Sequence, residues 1–101
     1  MAKACNQIVV SATLLGVAEA LTFARRQNVD PSRVRDALLG GFAYSRILEV
    51  HGKRMQDDDF TPGFRARLRQ KDLGIVTREA LEIGLGLPAA ALAAQLMNAV
   101  V

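Results

Sequence analysis

The stretch from Ala2 to Gln27 reads AKACNQIVVSATLLGVAEALTFARRQ. Its apolar residues surround most of the circumference of a helix, so other elements or a partner must cover several of its faces. The stretch therefore predicts a long first helix at the centre of a bundle or at an interface. The apolar residues concerned are Ile8, Val9, Val10, Leu14, Leu15, Val17, Ala18, Leu21 and Phe23.

Helix signals recur along the rest of the chain. Asp30-Pro31 is typical of an N-cap followed by the first helical residue, and Gly40-Gly41 ends this second helix. Further helices are predicted from about Ala43 to Met55, from Phe64 to Ile83, and from Pro88 onwards. No run shows the alternation of a strand, so we predict an all-α fold of about five helices.

Helical spacing also predicts which residues these later helices bury. In the second helix they are Val34, Ala37 and Leu38; in the third, Tyr44, Ile47, Leu48 and His51; in the fourth, Leu68, Leu73, Val76, Ala80, Leu81 and Ile83.

Length and composition limit the function classes. A chain of 101 residues, half of them hydrophobic, predicts one domain over residues 1–101. The net charge of +3 is too small to imply nucleic acid. A single cysteine, Cys5, excludes an internal disulfide and favours a reducing, cytoplasmic compartment. The uncharged run from Ala4 to Ala18 is shorter than the ~20 apolar residues of a membrane span, so no membrane is expected.

Two familiar kinds of site are not supported by the sequence. His51 is the single histidine of the chain and has no cysteine near it in the sequence, so no metal site is expected. Gly84-Leu85-Gly86 lacks the preceding strand and the third glycine of a dinucleotide-binding turn, and is better explained as a helix end.

Lys3 and Lys71 are the residues that suggest chemistry. Lys3 and Gln7 are four residues apart and share one helix face, with Asn6 beside them. An ammonium flanked by amides can donate hydrogen bonds to a substrate oxygen, although a solvated lysine near a helix end is the plainer interpretation. Lys71 follows a run of arginines whose spacing makes two short stripes rather than one phosphate-binding face.

At these residues the chain resembles the C-terminal helical domain of the β-hydroxyacid dehydrogenases, the family of 3-hydroxyisobutyrate dehydrogenase and tartronate semialdehyde reductase. The resemblance extends from Lys3 to about Val101, and implies the helical fold also found at the C-terminus of 6-phosphogluconate dehydrogenase. It rests on Ala2-Lys3-Ala4-Cys5-Asn6-Gln7, Ala18-Glu19-Ala20-Leu21, Asp30-Pro31, Gly40-Gly41 with Ser45, Phe60-Thr61-Pro62-Gly63-Phe64, and Lys71-Asp72-Leu73-Gly74, in that order.

The resemblance implies a role for each matching residue. Lys3 would be the general acid/base acting on the substrate oxygen, while hydride passes to or from NAD or NADP. Asn6 and Gln7 would bind the substrate, a small hydroxyacid. Lys71 would contact the nicotinamide end of the cofactor, and Phe64 would form part of that pocket's wall.

The Rossmann domain of the family, with its glycine-rich phosphate loop, has no counterpart in these residues. We therefore expect the chain to be a fragment without activity of its own. In the family this domain also builds the dimer, which makes a homo-oligomer the expected state. A helical association module without a catalytic role is the alternative function.

Overall fold

The computed structural model describes residues 2–56 and 65–100, with side chains described for 2–56 and 69–98. These residues form α1 (Ala2–Arg26), α2 (Pro31–Leu39), α3 (Arg46–Gln56), α4 (Arg65–Glu82) and α5 (Pro88–Val100), with no strand in the described ranges. The prediction of an all-α fold with a long first helix is confirmed. The predicted turn at Phe60–Phe64 lies outside the described residues, as does the side chain of Leu68.

The chain divides into two compact units, and α1 contributes to both. One unit combines Met1–Ala12 with Pro62–Val101, and the other is Thr13–Thr61. The single domain over residues 1–101 stays a prediction.

Two helices end in a left-handed turn. After α1, Asn28 adopts φ 60°, the N–H of Val29 donates to the carbonyl of Ala24 at 2.9 Å, and that of Asn28 to Arg25 at 3.1 Å. After α4, Gly84 adopts φ 67°, and Leu85 donates to the Ala80 carbonyl at 2.8 Å. These paired bonds satisfy the last carbonyls of each helix. Gly84 thus ends a helix, as the sequence indicated.

The N-cap of α2 is the one predicted. The Asp30 carboxylate accepts a hydrogen bond from the backbone N–H of Ser32 at 3.0 Å and from its hydroxyl at 2.9 Å. These two bonds lower the pKa of Asp30. Because the folded-state pKa is the lower one, this cap stabilises the fold above the unfolded-state pKa and is lost as pH falls through the folded-state pKa.

The core of the unit Thr13–Thr61 joins α1 to the two helices that follow. Val17, Leu21 and Leu48 are buried together, and Leu38, Leu39 and Met55 pack round them. Two arginines bind the backbone of α3. Arg25 donates to the carbonyls of Met55 (2.8 Å) and Gln56 (3.1 Å), and Arg35 donates to the carbonyl of Glu49 (2.8 Å).

In the other unit, α4 packs on α5. Leu73, Val76 and Ala80 are buried on α4, and Ala90 and Ala93 are buried on α5, where their small side chains allow close approach. A hydrogen bond of 2.8 Å from the Gln70 amide to Asn98 also links the two helices.

Some predicted burials are wrong. Leu81 and Ile83 are 81% and 74% exposed, since they lie beyond the face that carries Leu73, Val76 and Ala80. Ala37 is exposed in α2. Tyr44 precedes α3, because the hydroxyl of Ser45 accepts from the N–H of Leu48 at 2.9 Å and starts the helix there.

By length and composition alone, α1 is long and apolar enough to cross a membrane. Core helices of soluble proteins and signal sequences meet the same criterion, so this property is weak evidence for a membrane.

Substitution of two serines is expected to change the free energy of unfolding in opposite directions. Ser11 is 3% exposed, and its hydroxyl has no hydrogen-bond partner among the described residues. Removing an unsatisfied buried hydroxyl relieves its desolvation penalty, so Ser11→Ala should raise the free energy of unfolding by about 1 kcal/mol. Ser45→Ala removes the α3 cap and should lower it by about 1 kcal/mol. Urea titration followed by circular dichroism measures both, and a destabilising Ser11→Ala would contradict the packing described.

Two helical glycines provide a second test. A Cβ at Gly52 would lie 3.3 Å from Leu48 Cδ1 and 3.6 Å from Val17 Cγ1, whereas one at Gly16 meets nothing within 4 Å. Gly52→Leu should therefore cost about 1–3 kcal/mol of stability through overpacking. Gly16→Leu, the matched control, should gain up to about 1 kcal/mol from helix propensity. Equal effects in thermal unfolding would show that Gly52 is not tightly packed.

Candidate functional site

A cleft lies within the first unit, between the first turns of α1 and the middle of α4. Its volume is about 360 Å³, which suits a small organic molecule. The lining residues are Lys3, Ala4 and Gln7 from α1, and Asp72, Ile75, Val76 and Glu79 from α4.

The two walls of the cleft differ in charge. The α1 wall carries the ammonium of Lys3 and the amide of Gln7, and the α4 wall carries the carboxylates of Asp72 and Glu79. Lys3 is exposed and forms no ion pair with either carboxylate. Its three N–H donors are therefore available to a ligand. The apolar side chains of Ile75 and Val76 lie between the carboxylates along α4.

Each wall follows from helical spacing. Lys3 and Gln7 share the cleft because residues four apart are one turn apart, as expected from the sequence. Asp72, Ile75, Val76 and Glu79 occupy positions i, i+3, i+4 and i+7 of α4, which is one helix face.

The other predicted site residues are not brought into the cleft. Asn6 is exposed on α1 but does not line it, since it lies about 100° round the helix from Gln7. Lys71 is exposed on α4 and is displaced from Asp72 by the same angle. Phe64 lies outside the described residues.

A contact between Arg69 and Gln7 was missed by sequence reasoning. Arg69 is half-buried, and its Nη1 donates to Oε1 of Gln7 at 3.2 Å. The two residues are 62 positions apart, so nothing local in the sequence indicates the contact. The carboxylate pair was missed too: the seven-residue spacing of Asp72 and Glu79 places them on one helix face.

Among the described residues, no group of three or more His, Cys, Asp or Glu is arranged to hold a metal ion. Cys5 is a free thiol on the exposed surface of α1.

Residues 1–101 match the family model described as the NAD-binding domain of NADP-dependent 3-hydroxyisobutyrate dehydrogenase. The chain belongs to this family. The resemblance identified from the lysine segments is thereby confirmed at family level.

Known proteins with related sequences are oxidoreductases by name. The chain is 50% identical over 96 residues to the 2-hydroxy-3-oxopropionate reductase of Escherichia coli K12, covering 95% of this chain and 33% of that protein. It is 40% identical over 95 residues to a probable mitochondrial 3-hydroxyisobutyrate dehydrogenase-like protein of Arabidopsis thaliana, covering 94% of this chain and 28% of that protein. This chain thus spans about a third of the length of these relatives.

A solved structure shares the fold. The crystal structure of 3-hydroxyisobutyrate dehydrogenase from Salmonella typhimurium superposes with a TM-score of 0.88 at 25% identity, over 97% of this chain and 34% of that chain. The helical architecture described above is therefore shared with part of that structure.

Proposed function

We propose that this chain is the C-terminal substrate- and cofactor-contacting domain of an NAD(P)-dependent 3-hydroxyacid dehydrogenase. The reaction is hydride transfer between nicotinamide and a small β-hydroxyacid or semialdehyde. The observation that carries the proposal is the presence of Lys3 and Gln7 on one wall of a ligand-sized cleft, in a chain of this family. A cytoplasmic location is proposed with it, because the free thiol of Cys5 fits a reducing compartment.

Lys3 is proposed as the general acid/base. In the reducing direction its ammonium gives a proton to the carbonyl oxygen as hydride reaches the carbonyl carbon, and the product is a hydroxyl group. In the oxidising direction the neutral amine takes the hydroxyl proton. An exposed ammonium without an ion-pair partner suits this task, since no salt bridge has to break before it meets the oxygen.

Gln7 and Asn6 are proposed to bind the substrate. Gln7 lines the cleft and offers an amide to an oxygen held by Lys3. Asn6 is exposed on the neighbouring face of α1, and would contact a substrate that extends beyond the cleft.

The residues present fit one end of the cofactor. Lys71 is exposed on α4, next to the face that lines the cleft, and is proposed to contact the nicotinamide end. Phe64, which lies outside the described residues, is proposed to form part of the nicotinamide pocket. NAD or NADP supplies or accepts the hydride. The described residues contain no strand followed by a glycine-rich turn, and Gly84 lies at a helix C-terminus rather than an N-terminus. The cofactor phosphates are therefore proposed to bind a Rossmann domain outside this chain.

The proposal can be tested in a hybrid enzyme, in which this chain replaces the matched part of the Escherichia coli reductase. Lys3→Ala in this hybrid should lower kcat by about 10²–10⁴-fold, because it removes the proton donor, and should leave the cofactor KM nearly unchanged. Lys71→Ala should mainly raise the cofactor KM. Steady-state kinetics with tartronate semialdehyde measures both.

The two lysine variants serve as controls for each other, since each removes one exposed ammonium. The isolated chain should show no turnover. The reason is that one exposed cation such as Lys71 contributes about 1 kcal/mol to cofactor binding, whereas a micromolar dissociation constant requires ~8 kcal/mol. Near-normal kcat in the Lys3→Ala hybrid would refute the acid/base assignment.

A helical association module is the second candidate, and exposed apolar side chains favour it. Val9, Phe23, Phe42, Leu81 and Ile83 are between 63% and 111% exposed. Apolar side chains as exposed as these form an interaction site where they adjoin one another.

We accordingly expect the chain to form a dimer or a larger homo-oligomer. Light scattering at high micromolar concentration measures its mass, and Phe23→Ser should shift the equilibrium towards monomer because it removes a large exposed ring. A monodisperse monomer in the unsubstituted chain would rule out self-association.

A further inference from the structure

The hydrogen bond between Arg69 and Gln7 fixes which end of the Gln7 amide faces the cleft. A guanidinium only donates hydrogen bonds, so the atom 3.2 Å from Arg69 Nη1 is the amide oxygen. With Oε1 turned towards Arg69, the group that Gln7 is left to offer to a ligand in the cleft is Nε2, which carries two donors.

With this orientation, one wall of the cleft carries hydrogen-bond donors and the other carries hydrogen-bond acceptors. On α1, the Lys3 ammonium and the Gln7 NH₂ both donate, and they lie one helical turn apart. On α4, the Asp72 and Glu79 carboxylates accept. A carbonyl or carboxylate oxygen is thus favoured against α1, and a hydroxyl group against α4.

We propose that Arg69 is a positioning residue that acts through Gln7. It holds the amide with its NH₂ towards the cleft, so that Gln7 and Lys3 bind the oxygen of one substrate group together. Without this guanidinium, the amide can turn its own oxygen towards the ligand, and two acceptor oxygens then face each other. The inference rests on the proposed dehydrogenase function.

Kinetics of the hybrid enzyme test this role. Arg69→Met should raise the KM for the semialdehyde about tenfold, the effect of one lost hydrogen bond to a polar ligand, while kcat changes less than about threefold. Arg69→Lys keeps a donor and should restore most of the affinity. Arg69→Glu should be the worst of the three, because a carboxylate accepts from Nε2 and turns the amide oxygen into the cleft.

A matched control and a double-mutant cycle test whether Arg69 affects the KM through Gln7. Arg78 is exposed on the same helix and donates to the carbonyl of Gly74, so Arg78→Met should leave the KM unchanged. In a Gln7→Ala background, Arg69→Met should have no further effect on the KM. A tenfold increase that persists in that background would overturn the proposal.

A second measurement is independent of activity. In the 101-residue chain, nuclear magnetic resonance should show that Arg69→Met shifts the side-chain NH₂ signals of Gln7, whereas Arg78→Met does not. Unchanged Gln7 signals would refute the contact even if the hybrid is active. An inactive unsubstituted hybrid with shifted signals would instead refute the proposed function and leave the orientation of Gln7 confirmed.

Discussion

The structure depends on α1, a helix that is apolar on most of its faces and buries part of that surface in each of two units. No single neighbour covers such a helix, and α1 divides its length between two sets of partners. Its later turns supply Val17, Leu21 and Ala24 to a core with Leu48. Its first turns belong to the unit of α4 and α5, and there they supply Ser11 to the interior and Lys3 and Gln7 to the cleft.

The division of α1 between two units also accounts for the polar side chains, Lys3 and Gln7, at the start of this apolar helix. A cation is costly inside a core, but Lys3 lies in the first turn of α1 and is exposed. Across the cleft, α4 buries Leu73, Val76 and Ala80 and keeps Asp72 and Glu79 on the adjoining face. Burial of the hydrophobic side of α4 thereby holds the carboxylates of Asp72 and Glu79 in place at the cleft.

The helices, their caps and the α1 wall of the cleft could be predicted from the sequence because they depend on local spacing. Asp30-Pro31, Gly84 and the pair Lys3 and Gln7 were all predicted from neighbours within one or two turns. The exposure of Leu81 and Ile83 was not, since the pattern of a helix does not say where its covering partner stops. The contact of Arg69 with Gln7 was beyond reach for a related reason: it depends on which residue of α4 meets which turn of α1.

The family match extends the interpretation to residues whose roles the fold leaves open. Under the proposed function, Lys71 can contact the cofactor without lining the cleft, because a nicotinamide nucleotide is larger than a volume of about 360 Å³ admits. The proposed site would then need further elements besides this cleft.

The division of the chain into two units also has a consequence for its dynamics. Each unit has buried residues of its own, so each meets the requirements of a foldon that opens as a cooperative group. Since α1 belongs to both, we expect its amide hydrogens to report two different opening reactions along one continuous helix. Loosening of the unit that holds the cleft would then leave the core around Val17, Leu21 and Leu48 intact.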